Sequence, residues 1–143
     1  MTQEKLITMR KFIIDTSVFI IFSRYNKISR LIEALILNNI IVYINKQLLE
    51  ELMKNIPLTL KAKDVNPILI IETIKTATFY FETVDSFKNC PDSKDNFLFD
   101  LAIQTGSEAI ITEEKALLNW TNSPLPIHNI LWFKQHFFKD IPV

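Results

Sequence analysis

The sequence predicts an α/β sandwich of three layers, in which a parallel five-stranded sheet is covered by helices on both faces. Short, continuous apolar runs, Phe12–Ile14, Ile40–Ile44 and Ala109–Ile111, alternate with longer segments whose apolar residues recur every three or four positions. Strands that are apolar on both faces belong to parallel sheets flanked by helices, whereas half-exposed antiparallel strands alternate apolar and polar residues. The length, 143 residues of which 48% are hydrophobic and 22% charged, suits one domain spanning residues 1–143 with a sizeable core.

Each element has its own signal. Phe12, Ile13 and Ile14 read as a buried strand ending at Asp15, and Thr16 and Ser17 are suited to cap a helix that follows. Ile28, Leu31, Ile32, Leu35 and Ile36 share one face of a helix over Ile28–Leu37, which Asn38 and Asn39 stop. Ile40–Ile44 is the second strand. Leu48, Leu49, Leu52, Met53 and Ile56 then make a helix over Gln47–Ile56 that Pro57 closes. After a polar stretch, Pro67–Thr78 is predicted helical in spite of its β-branched residues, and Phe79–Val84 is the third strand. Asp85–Lys94 is a polar loop, and Phe97, Leu98, Leu101 and Ala102 mark a helix that ends near Gly106. Ala109–Ile111 is the fourth strand. Thr112 caps a short helix carrying Ala116, Leu117 and Leu118, Pro126–His128 is a fifth short strand, and Ile130–Phe138 is an aromatic-rich final helix.

Composition removes several function classes. A phosphate-cradling loop or dinucleotide turn needs two or three glycines within a few residues, and this chain has one. One cysteine, Cys90, forms no internal disulfide, and two histidines, His128 and His136, do not make a histidine-rich zinc site. Sixteen basic against sixteen acidic side chains give zero formal charge, so any nucleic-acid contact is expected from a local patch. Met1–Arg10 lacks the apolar core of a signal peptide, and runs such as Ile68–Ile71 are far short of the roughly 20 residues that span a bilayer. The expected setting is the cytoplasm, with no membrane contact.

In open parallel sheets the ligand site lies beyond the carboxyl ends of the strands, where the strand order reverses. Carboxylates from four segments are placed to meet there. Asp15 follows the first strand, Glu113 and Glu114 follow the fourth, Glu50 and Glu51 lie early in the helix after the second, and Asp92 and Asp95 precede the helix leading to the fourth. Converged carboxylates are hard oxygen donors suited to Mg²⁺ or Mn²⁺, ions that activate water and stabilise charge in phosphodiester hydrolysis. Asp15 and Asp95 also suit plain helix N-caps. Periodicity leaves Glu50 and Glu51 on opposite flanks of their helix, so it does not choose between them. Asp100, about 140° round the helix from Asp95, is expected to be a solvated charge. Lys94 is placed either to contact a phosphate or to sit in solvent.

The segments FIIDTSVFI from Phe12, LLEEL from Leu48, PDSKDNFLFDLAIQTG from Pro91 and AIITEEKALL from Ala109 resemble those of PIN-domain proteins, over nearly the whole chain from Phe12 to Phe138. That is the fold of many toxin ribonucleases of bacterial toxin-antitoxin pairs. The resemblance implies the strand order 3-2-1-4-5. It implies that Asp15, Glu51, Asp95 and Glu114 are catalytic, with Asp15, Asp95 and Glu114 holding Mg²⁺ or Mn²⁺ and with Ser17, Asp92 and Thr112 in support. It further implies an RNA substrate, an antitoxin partner and a homodimer. In the fourth motif this sequence departs from the family, with Glu113 in place of glycine, Glu114 in place of aspartate and Ala116 in place of the last acid. That departure motivates a second reading, a weakened PIN fold serving as a nucleic-acid or protein interaction module. Phosphotransfer through a D-x-D nucleophile is disfavoured, because Ser17 stands where the second aspartate belongs.

Overall fold

Hydrogen bonding between apolar strands sets the frame of the molecule. The computed structural model describes residues 9–60 and 65–139, so Met1–Arg10, read above for the absence of a signal peptide, lies outside the described residues except for its last two. Five parallel strands, β1 (Arg10–Ile14), β2 (Ile40–Ile44), β3 (Phe79–Tyr80), β4 (Ala109–Ile111) and β5 (Ile127–His128), form one sheet in the order β3-β2-β1-β4-β5. Helices cover both faces. Phe12 pairs with Val42 on one side and Ala109 on the other, which puts β1 at the centre and the reversal of strand order between β1 and β4.

The connections supply seven helices among the described residues: α1 (Thr16–Arg24), α2 (Ile28–Leu37), α3 (Lys46–Thr59), α4 (Pro67–Ala77), α5 (Asn96–Thr105), α6 (Lys115–Leu118) and α7 (Ile130–Phe137). Side-chain oxygens begin several of them. Asn45 accepts from Leu48 N, Asn66 from Ile68 N and Asn129 from Trp132 N, each satisfying a donor that the first helical turn leaves free. Asn39, at φ 54°, makes the left-handed turn from α2 into β2, a conformation asparagine tolerates better than most side chains. Gly106, at φ 69°, does the same after α5.

Phe12, Ile13, Ile14, Val42, Ile110 and Ile111 are fully buried, and the sheet packs them against the apolar stripes of the helices. Phe12 meets the rings of Phe133 and Phe137, so most of the aromatic surface of α7 belongs to the core, as its composition predicts. No helix among the described residues is long and apolar enough to cross a membrane.

Three boundaries differ from the sequence reading by two residues or more, and several others by one. β1 begins two residues early, at Arg10, because Arg10 N donates to Asn39 O and Lys11 O accepts from Glu108 N, extending the ladder. α3 does not close at Pro57 but continues to Thr59, since Pro57 is exposed and falls in the last turn, where its missing N–H and its ring cost least. β3 is two residues long where Phe79–Val84 is predicted. Phe81 N still donates to Ile44 O, but β2 ends there, and Val84 bonds instead to the side-chain amide of Gln104 at 3.0 and 2.7 Å. The segment has a strand's composition and runs out of partner.

Candidate functional site

Asp15 stands at the carboxyl end of β1, where its own N donates to Ile111 O at 2.8 Å and carries the β1–β4 pairing into the crevice. Its side chain is 5% exposed and accepts three hydrogen bonds. Thr16 N reaches Oδ1 at 2.7 Å, while Ser17 Oγ and Thr112 Oγ1 reach Oδ2 at 2.9 and 2.8 Å. An ionised carboxylate offers about four acceptor positions, so this one is nearly saturated and keeps room on Oδ1.

The two hydroxyls are themselves tied down. Ser17 Oγ accepts from Glu113 N at 3.1 Å, and Thr112 Oγ1 accepts from Glu114 N at 3.0 Å, so the loop after β4 is moulded around the Asp15 carboxylate. Thr112 therefore does not cap α6 directly, as the sequence suggests. The cap position of α6 is Glu114, whose side chain makes no capping bond and is left to the crevice.

Thr16 connects a second acid, a link that sequence reasoning missed. Its Oγ1 donates to Glu51 Oε1 at 2.8 Å. Glu50 is exposed and Glu51 half-buried, so the structure makes the choice that periodicity left open. Burial pushes the Glu51 carboxyl above its usual range, the Thr16 hydrogen bond opposes this, the charge of Asp15 adds to it, Lys94 opposes it and Glu114 adds again. The missed signal is a hydroxyl in the first turn after the acid, able to serve both backbone and a neighbouring helix.

Asp95 behaves differently from Asp15. It ends a 3-10 turn, Ser93–Asp95, and occupies the cap position of α5 without a side-chain capping bond, so it is not a plain N-cap. The residue is 6% exposed, and its Oδ2 is buried with no hydrogen-bond partner. Its carboxyl is pushed up to about 7. Burial is the main cause, followed by the charge of Glu114, a hydrogen bond to Glu114 that only the protonated acid can donate, and the charges of Asp15 and Asp92. Asp92 itself is exposed, accepts from Lys94 N at 3.1 Å and lies 3.8 Å from Lys94 Nζ. It acts on the crevice through its charge.

The remaining candidates separate clearly. Glu113 turns away from the acids, and its Oε2 accepts from Ile130 N at 2.6 Å, which braces the loop after β4 against the start of α7. Ala116 is exposed and brings no donor. Asp100 is 4% exposed and accepts from Ser86 N, Phe87 N and Gln104 Nε2, so it is a buried anchor rather than the expected solvated charge. Burial and the surrounding acids, Asp95 first, push the Cys90 thiol up to about 12, which keeps it protonated and unreactive. His128, at the end of β5, and His136, on α7, both stack on Trp132, with ring centroids 3.8 and 4.2 Å from the indole.

The donors that meet in the crevice are hard carboxylate oxygens, and the orphaned Asp95 Oδ2 is the kind of buried atom a cation would satisfy. Among the described residues, however, no three histidine, cysteine or acidic side chains are disposed as they stand to hold a metal ion.

Fold and site together define a parallel α/β protein with an acid-lined crevice at its topological switch point. The family model described as PIN domain matches residues 11–116, and the chain belongs to that family. PIN domains are in general nucleases and typically use divalent metals. The fold is also that of the crystal structure of PAE2754 from Pyrobaculum aerophilum, similar at a TM-score of 0.56 and 11% sequence identity over 90% of each chain. Comparison with curated proteins finds no significant match.

Proposed function

We propose that this PIN domain is a Mg²⁺- or Mn²⁺-dependent endoribonuclease, the toxin of a toxin-antitoxin pair, acting in the cytoplasm on RNA phosphodiester bonds. The observation that carries the reading is the meeting of Asp15, Glu51, Asp95 and Glu114 from four segments at the switch point, with one buried carboxylate oxygen left without a partner. Asp15, Asp95 and Glu114 would hold the ion. Such an ion supplies a lowered pKa for an attacking water and positive charge for the phosphoryl oxygens. Glu51, fixed by Thr16, would orient a water beside the phosphodiester and accept its proton. Ser17 and Thr112 keep Asp15 in place, and Asp92 adds negative charge at the entrance. An antitoxin and a second copy of the chain are the protein partners of this reading, and exposed apolar side chains such as Ile36, Ile68 and Leu69 on α2 and α4 give them surface to cover.

Mn²⁺ calorimetry on wild type and Asp15→Asn in metal-free buffer, followed by cleavage of a mixed RNA pool, tests the reading. Binding that the variant loses, together with metal-dependent cleavage, supports it. A specific observation favours a second reading, the interaction module: Glu113 serves α7 and Ala116 offers no donor, so the fourth motif contributes one acid. No binding at millimolar metal would leave that module as the better account.

A further inference from the structure

A hollow of about 250 Å³ lies beside the acid cluster, between the first turn of α3, the loop after β3 and the start of α5. Gln47, Phe87, Lys88, Lys94, Asn96 and Phe97 line it. Lys94 directly precedes Asp95, and its charge reaches Glu51, so the hollow adjoins the acids. One wall is built on a buried charge. Asp100 also lines the hollow, and its carboxylate holds Ser86 N at 3.1 Å and Phe87 N at 2.8 Å, pinning the loop that carries Phe87 and Lys88 against α5. Phe87 is stacked on Phe99, ring centroids 4.9 Å apart, which fixes it further. Asn96 Oδ1 accepts from Cys90 N at 3.0 Å and leaves its amide N–H groups for a ligand.

We propose that this hollow binds one nucleotide of single-stranded RNA next to the phosphodiester presented to the acids, an inference that rests on the nuclease reading above. Lys88 and Lys94 supply point charges for a flanking phosphate. The rings of Phe87 and Phe97 give the base an apolar surface, and the amides of Gln47 and Asn96 match the mixed donors and acceptors of a base edge. Asp85 and Asp100 balance the two lysines within the lining and Lys94 Nζ lies 3.8 Å from Asp92, so the charge offered to a phosphate is local to the lysine tips.

The test is fluorescence anisotropy with a short single-stranded oligoribonucleotide over a series of salt concentrations, on an Asp15→Asn background that suppresses hydrolysis. Lys88→Ala with Lys94→Ala is expected to weaken binding about tenfold and to flatten the plot of log K against log salt by about 0.7, the share of the one flanking phosphate they contact. Phe97→Leu should weaken binding a few-fold without changing that slope. Lys75→Ala, on α4, serves as the surface control. Unchanged affinity and slope in the double lysine variant, with metal-dependent cleavage intact in the native chain, would overturn the subsite alone. A native chain that neither binds the oligonucleotide nor cleaves RNA with Mn²⁺ would bring down the subsite and the nuclease reading together.

Discussion

The two sides of the acid cluster hold their charges in opposite ways. On the β1 side, Asp15 accepts from a backbone N–H and two hydroxyls, each at 2.9 Å or less, and those hydroxyls are held in turn by the loop after β4. On the α5 side, Asp95 faces Glu114 with a buried oxygen unpaired, and its carboxyl rises to about 7. The fold stabilises the first acid and merely tolerates the second. Local conflict of this kind in an otherwise consistent structure is characteristic of functional sites, where stability is given up for a ligand.

That contrast makes predictions of opposite sign. The largest effect is expected at Asp15: Asp15→Ala leaves Thr16 N, the buried Thr112 hydroxyl and the half-buried Ser17 hydroxyl without their acceptor and should cost about 2–3 kcal/mol in urea denaturation of metal-free protein. Thr16→Val should cost about 1–2 kcal/mol at pH 8, because it strips Glu51 of its donor while leaving the backbone bond to Asp15, and Thr16→Ser should recover most of the loss. Asp95→Asn should instead stabilise the metal-free protein at pH 8, by on the order of 1 kcal/mol, read as a higher Tm.

The pH dependence of Asp95 has a definite sign. The folded protein holds that proton more tightly than the unfolded chain does, so the native chain loses stability as pH rises from the ordinary carboxylate range to about 7, and levels off above it. Asp95→Asn removes this part of the slope. A variant whose stability tracks the native chain across that range would show the two sides to be equally well satisfied. The smallest effect belongs to Glu113→Gln, which keeps an acceptor for Ile130 N and should cost about 0.5 kcal/mol, whereas Glu113→Ala should cost about 1 kcal/mol.

Much of the frame was legible because it depends on short-range pattern. Ile28–Leu37, Ile40–Ile44 and Ala109–Ile111 have the bounds their apolar spacing predicts. β3 was overextended because a strand's length is set by its partner, and the end of β2 at Ile44 is not visible in the residues of β3. Asp15 was legible from its place after a continuous apolar run. The link from Thr16 to Glu51 was not, since it joins residues 35 positions apart on two different helices. Asp100 was misread for a related reason. Helical spacing places it away from Asp95, but the loop after β3 returns to cover that face, and only the folded chain shows it.

Both edges of the sheet are strands of two residues, β3 and β5. An edge that short offers a neighbouring chain very little ladder to copy, and a stub of this kind is one of the ways natural sheets resist edge-to-edge growth. Three central strands are thus flanked by stubs, which disfavours strand addition at either edge. A protein that pairs with this one is therefore expected to meet it through helix faces and loops, by the fit of side chains rather than by shared backbone.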